Sequence, residues 1–103
     1  MLESNSIIVV SLMNPKEKVW GQMLSLNPAG ITVRGVGLPS FDDFLRQVRA
    51  KEETTVGLST TFYPMHRIER IVLDEPSGAI QSLADRFRET VGASFHEYLG
   101  IEP

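Results

Sequence analysis

Hydrophobic residues in the first third of the chain come in short runs that turn residues separate. Ile7 to Met13 opens with β-branched residues and stops at Asn14-Pro15, where proline fixes φ. Val19 to Leu26 follows a charged turn, and Asn27-Pro28-Ala29-Gly30 places asparagine, proline and glycine where a type I turn favours them. Ile31 to Val36 then alternates between two unlike faces. The pattern predicts three strands, the first of them buried.

The spacing of hydrophobic positions changes to a helical period after Gly37-Leu38-Pro39. Ser40 and Asp43 occupy the two positions of a capping box, so we predict a helix over 41–50. Acidic residues follow its start and arginines lie near its end, as the helix dipole favours. The apolar stripe of this helix comprises Phe41, Phe44, Leu45 and Val48.

A second strand-forming region follows the predicted helix and is broken once by a proline. Thr54 to Tyr63 is rich in threonine, valine and aromatic residues, which predicts a fourth strand. Pro64-Met65-His66 interrupts it for about one tight turn. Arg67 to Leu73 resumes as a fifth strand.

The end of the chain carries two further helix signals within 79–100. Ser82-Leu-Ala-Asp85 and Ser94-Phe-His-Glu97 have capping-box spacing, and Gly92 and Gly100 supply the stops. The two apolar stripes comprise Ile80, Leu83, Ala84, Phe87 and Val91, and then Phe95, Tyr98 and Leu99. These stripes need a surface to cover, either an open end of the sheet or a neighbouring subunit.

The strand order, with its one-turn break before the fifth strand, resembles the small five-stranded barrel of Sm-like proteins, a relative of SH3-like barrels. Gly21, Met23 and Asn27 stand at the spacing of that family's glycine, hydrophobic and acidic landmarks, and Ile68 and Ile71 match its paired apolar positions in the last strand. The resemblance implies a five-stranded barrel over 7–73. Together with helix 41–50, inserted between strands three and four, and two short C-terminal helices, this predicts an α+β fold. The resemblance also implies self-assembly, in which the fourth strand of one subunit pairs with the fifth of the next.

The residues by which RNA-binding members of that family recognise uridine do not match. Ile31 stands where those members place an asparagine, and Pro64-Met65 stands in place of Arg-Gly. The family's usual helix precedes the first strand, whereas here one helix is inserted and two follow the sheet. The resemblance therefore carries the fold but not the uridine-binding set.

Length, charge and cysteine content bound the classes of function. The 103 residues suffice for one core, so we expect a single domain over 1–103. The net charge of -3 argues against non-specific DNA binding. The absence of cysteine excludes disulfides and thiolate chemistry. No apolar stretch reaches the roughly 18 residues that a bilayer span requires, and no signal-peptide pattern is present, so we expect a cytoplasmic protein without membrane contact.

No catalytic or metal-binding constellation stands out, so the sequence predicts neither an enzyme nor a cofactor. His66 and His96 lack the spacing that would place two nitrogens on one metal. Asp42 and Asp43 are adjacent at a helix start, where they compensate the dipole rather than face each other across a cleft.

The candidate ligand-binding residues are Arg34, Tyr63, His66 and Arg67. His66 follows a proline-marked turn beside Arg67, and such turns can project side chains into a ligand site. The alternative is that His66 caps the turn or packs its ring at the sheet edge. Several basic residues could form a face for single-stranded RNA, with Trp20 or Tyr63 stacking on bases, or form an ordinary solvated face. Those basic residues are Arg34, Arg46, Arg49, Lys51, Arg67 and Arg70, opposed by Glu52, Glu53 and Glu69.

The sequence favours a non-enzymatic, self-assembling barrel protein whose candidate ligand is RNA. The alternative is a protein-interaction module that uses the C-terminal helices or a strand edge to bind another polypeptide.

Overall fold

The computed structural model describes residues 2–51 and 57–101. It contains five strands and three α-helices, in the order β1 (Ile7–Leu12), β2 (Glu17–Asn27), β3 (Gly30–Gly37), α1 (Phe41–Ala50), β4 (Ser59–Pro64), β5 (Ile68–Leu73), α2 (Leu83–Val91) and α3 (Phe95–Leu99). Short 3₁₀ turns precede α1 and β5, at Leu38–Ser40 and Met65–Arg67. The predicted α+β composition and element order are confirmed.

The element boundaries agree closely with the sequence pattern, with one exception in β4. The strand begins at Ser59 rather than Thr54, because Gly57 and Leu58 are not in regular structure. The rest of the predicted start, residues 54–56, lies outside the described residues. The break before β5 is a 3₁₀ turn that includes Arg67, so β5 starts one residue later than predicted.

The strands form one antiparallel sheet in the order β4-β3-β2-β1-β5. Consecutive strands β4 and β5 therefore lie at opposite edges, although only three residues join them. Pro64 at the end of β4 pairs with Gly30, whereas Ile68 at the start of β5 pairs with Leu12. The sheet must curl to bring these two corners together. Within the described residues no ladder joins β4 to β5, so the sheet is open and the predicted closed barrel is not observed.

A pair of facing glycines lets β2 and β3 approach closely. Gly21 is the cross-strand partner of Gly35. A Cβ on Gly21 would lie 2.3 Å from the carbonyl oxygen of Arg34, and one on Gly35 would lie 2.3 Å from that of Trp20. Neither position has room for a side chain, so both must be glycine for the strands to keep this approach.

Each face of the sheet carries its own apolar core. The inner face of the curl is lined by Ile8, Val10, Leu12, Val19, Met23, Ile31 and Val33. The outer face packs against all three helices through a second core made of Ile7, Trp20, Val36, Phe41, Phe44, Leu45, Phe87, Phe95 and Leu99. The apolar stripes of the C-terminal helices therefore cover this protein's own sheet. Ile80, which the pattern placed on the first stripe, lies before α2 and is 72% exposed.

Two of the three predicted helix caps form. The hydroxyls of Ser82 and Ser94 accept hydrogen bonds from the third backbone N–H of α2 and α3, and Gly92 and Gly100 end those helices with positive φ. The predicted cap at Ser40 is wrong, because Ser40 belongs to the preceding 3₁₀ turn and its side chain makes no cap bond.

Candidate functional site

Arg67, one of the predicted ligand-binding residues, is hydrogen-bonded to the turn between β1 and β2. Its Nε donates to the carbonyl oxygen of Met13 at 3.0 Å, and its Nη2 donates to that of Pro15 at 3.1 Å. The same Nη2 lies 3.0 Å from Oε2 of Glu17. These bonds join the 3₁₀ turn before β5 to the β1–β2 turn, so the guanidinium has a structural role that the sequence pattern did not indicate.

The other three predicted residues do not converge on one site. His66 is exposed in the 3₁₀ turn beside Arg67. Tyr63 faces Ile31 and packs against the inner core, whereas Arg34 is exposed and faces Thr60. Side chains alternate along a strand, so Arg34 and Tyr63 lie on opposite faces of the sheet. A ligand-binding role for these four residues stays a prediction.

Trp20 cannot act as a stacking platform for RNA, because its side chain is fully buried in the outer core. Its ring lies 5.0 Å from that of Phe41, edge to face, and 4.1 Å from that of Phe95. Among the proposed basic residues, Arg46 pairs with Asp43 at 2.7 Å on the surface of α1. The basic residues are thus spread over β3, α1, β5 and an edge turn, and Glu52 and Glu53 lie outside the described residues.

The edge formed by β4 carries no charged residue and has one aromatic side chain on each face. Its sequence, Ser-Thr-Thr-Phe-Tyr-Pro, contains no Lys, Arg, Asp or Glu. Phe62 is 49% exposed on the outer face, and Tyr63 is half-buried on the inner face. Natural edge strands are usually protected against pairing by charged side chains, bulges or covering segments. β4 has no charged side chain, and its only protective residue of this sort is the proline at its end. No described strand pairs with its outer edge.

The edge formed by β5 has a similar character over its second half. Val72 is 47% exposed on the outer face, opposite Val9 of β1. Ile71 and Leu73 are half-buried and pack against the inner core. The inner core therefore includes side chains from both open edges. The sequence pattern identified these strands, but their place at the two edges depends on sheet order.

The described residues hold no group of three histidine, cysteine, aspartate or glutamate side chains positioned to bind a metal ion. Among the same residues, no helix combines the length and apolarity required to cross a membrane.

Comparisons of this chain with protein-family models, with curated proteins and with solved structures found no significant match in any of the three. The two open edges of the curled sheet are therefore identified from the geometry of this chain alone.

Proposed function

We propose that this protein is a non-enzymatic assembly module in which the β4 edge of one copy pairs with the β5 edge of the next. The observation that supports this proposal is the pair of edges, on one open sheet, with which no further described strand pairs; each carries an exposed apolar side chain, Phe62 or Val72. Pairing would satisfy the unpaired backbone groups and remove apolar surface from water.

The proposed contact is heterologous, because two different surfaces meet. Such contacts build a closed ring when the rotation between copies closes, and a filament when it does not. β4 and β5 each have six residues, so their edges match in length. A neighbour's strand on each edge would extend the curled sheet in the manner of the Sm-like barrels that the sequence resembles. We therefore also propose that the chain is an Sm-like protein and that it forms a homo-oligomer.

The second candidate is capture of an extended peptide from another protein by one of the same edges. Adding a strand to an exposed edge is a common mode of peptide recognition. The open edges favour this mode over the C-terminal helices, because Phe87, Phe95 and Leu99 are buried against the sheet of their own chain. An assembly and a peptide complex would use the same backbone groups, so the oligomeric state of the purified chain separates the two.

Native mass spectrometry and light scattering after size exclusion test the proposal on the full chain. We expect an oligomer, and we expect Phe62→Lys and Val72→Lys each to weaken it by about tenfold, since lysine opposes edge pairing. Ile80→Lys is the matched control, because Ile80 is an exposed apolar residue outside both edges. It should leave assembly unchanged.

Mixing the two edge variants tests which surfaces meet. Phe62→Lys retains an intact β5 edge, and Val72→Lys retains an intact β4 edge, so the mixture should form dimers at concentrations at which neither variant associates alone. Dissociation by only one of the two substitutions would indicate that like edges pair. A strictly monomeric wild-type chain would refute self-assembly and leave peptide capture as the test to pursue. Nucleic acid absorbance that is lost on raising salt, and that ribonuclease but not deoxyribonuclease removes, would favour RNA as the co-purifying ligand instead.

A further inference from the structure

An open groove with a volume of about 660 Å³ lies where β1, β2 and β5 meet the 3₁₀ turn before α1. Its lining includes Ser11, Lys16, Lys18, Leu38, Pro39 and Arg70. Cavities that bind small molecules commonly have about 300 to 1,000 Å³. The groove is therefore large enough for a small organic ligand.

Three residues from three different strands form a row across the groove. Ser11 of β1 pairs with Lys18 of β2 on one side and with Arg70 of β5 on the other. Directly opposed residues share a face of the sheet, and adjacent strands lie about 5 Å apart, so about 10 Å separates the backbones of the two cations. Ser11 is small and 5% exposed, and its hydroxyl makes no hydrogen bond to another described residue. Two cationic side chains thus flank a small polar floor.

A β-bulge in β5 brings Glu69 to the groove beside Arg70. Ser11 faces Arg70, but the next residue, Leu12, faces Ile68, so Glu69 has no cross-strand partner. A regular ladder would place Glu69 opposite Leu12 and turn its carboxylate toward the inner core. The bulge instead keeps Ile68 against that core while both Glu69 and Arg70 line the groove.

The local charge of the groove is positive, although the whole chain has a net charge of -3. Glu17 also lines the groove, but Arg67 pairs with it at 3.0 Å. Lys16, Lys18 and Arg70 form no ion pair with any described residue. Three unpaired cations therefore face the single remaining carboxylate of Glu69. This imbalance favours an anionic ligand.

The wall opposite β5 is apolar, because Leu38 and Pro39 of the 3₁₀ turn line it. We propose that the groove binds a small organic anion, with a carboxylate or phosphate head held between Lys18 and Arg70. The apolar body of the ligand packs against Leu38 and Pro39. Arg70 lies on the edge strand β5, but edge pairing uses backbone groups in the plane of the sheet, whereas side chains on the outer face stand perpendicular to it. The site therefore does not require the proposed assembly.

Calorimetric titration of the full chain tests the site with five probes: hexyl phosphate, hexanoate, inorganic phosphate, acetate and hexanol. At least one amphipathic anion should bind about tenfold more tightly than the inorganic or short anion with the same head, because it also buries apolar surface. Comparing hexyl phosphate with hexanoate identifies the preferred head group. Hexanol has the body without the charge and should bind more weakly than either.

Two substitutions at exposed positions locate the bound anion. Lys18→Gln and Arg70→Gln should each weaken binding of the tighter probe by about tenfold, since each removes one charged hydrogen-bond donor. Arg34→Gln is the matched control, because Arg34 is also exposed on the sheet but lies outside the groove. It should leave the affinity unchanged. Native mass spectrometry of the same variants should show the wild-type oligomeric state.

Three results would overturn the anion site. The first is the absence of binding by either amphipathic anion below about 10 mM, and the second is hexanol binding as tightly as the tighter of the two amphipathic anions. The third is an equal loss of affinity in Arg34→Gln and Arg70→Gln, which would indicate diffuse attraction by surface charge. Circular dichroism of each variant confirms that a lost affinity is not lost folding.

Discussion

The indole Nε1 of Trp20 donates a hydrogen bond of 3.0 Å to Oδ2 of Asp74, which lies 54 residues further along the chain. The same carboxylate accepts the backbone N–H groups of Leu83 and Ala84, both at 2.8 Å. One aspartate thus satisfies a buried indole and two of the otherwise unpaired donors at the start of α2. It fixes that helix over the outer face of the sheet.

We predict that Asp74→Ala lowers the free energy of unfolding by about 3 kcal/mol, because three donors lose a charged acceptor. Glu75→Ala removes the neighbouring exposed carboxylate and should change stability by less than about 0.5 kcal/mol. Urea denaturation followed by circular dichroism measures both. The wavelength of Trp20 fluorescence should change in the Asp74 variant alone, because only that variant loses the carboxylate at the indole N–H. Equal stabilities of the two variants would show that the indole and helix contacts contribute little.

The close approach of β2 and β3 gives a second prediction. Gly21→Ala should lower the free energy of unfolding by about 3 kcal/mol or more, because its Cβ would lie 2.3 Å from a backbone oxygen that cannot move away cheaply. Gly37→Ala is the matched control on β3. Its Cβ would meet nothing closer than Pro39 Cδ at 3.8 Å, so we expect a change within about 1 kcal/mol. Thermal denaturation ranks the two, and a Gly21 variant as stable as the Gly37 variant would contradict the packing constraint.

The contacts of Arg67 give a third prediction. Arg67→Ala should cost about 2 kcal/mol of unfolding free energy, since two carbonyl oxygens and Glu17 lose their donor. Arg46→Ala breaks only an exposed pair within α1 and should cost less than about 0.5 kcal/mol. Amide NMR shifts at residues 16–18 should move in the first variant and stay unchanged in the second. If both variants left those shifts unchanged, Arg67 would not hold the β1–β2 turn.

The sequence was most informative where structure depends on near neighbours. The apolar spacing from Phe41 to Val48 predicted α1, and Ser82 and Ser94 predicted the caps of α2 and α3. The same approach failed at Ser40, where a preceding 3₁₀ turn replaced the expected cap. It also gave no indication of the structural contacts of Arg67, because no local pattern shows that the β1–β2 turn lies beside it.

The candidate sites could be located only once the three-dimensional fold was known. Phe62 and Val72 matter as edge residues only because β4 and β5 end up on opposite sides of the sheet. Lys18 and Arg70 flank Ser11 only because of strand register. Trp20 was a plausible base-stacking residue in sequence, but the helices bury it.

By itself, the sequence determined the kind and order of the elements, since helix, strand and turn preferences depend on residues within a few positions of one another. The tertiary structure alone decided which strands lie at the edges, which face each side chain occupies and that Asp74 joins Trp20 to α2. Those features depend on the pairing of residues far apart in the chain, and a shift of one residue in register would move every side chain to the opposite face.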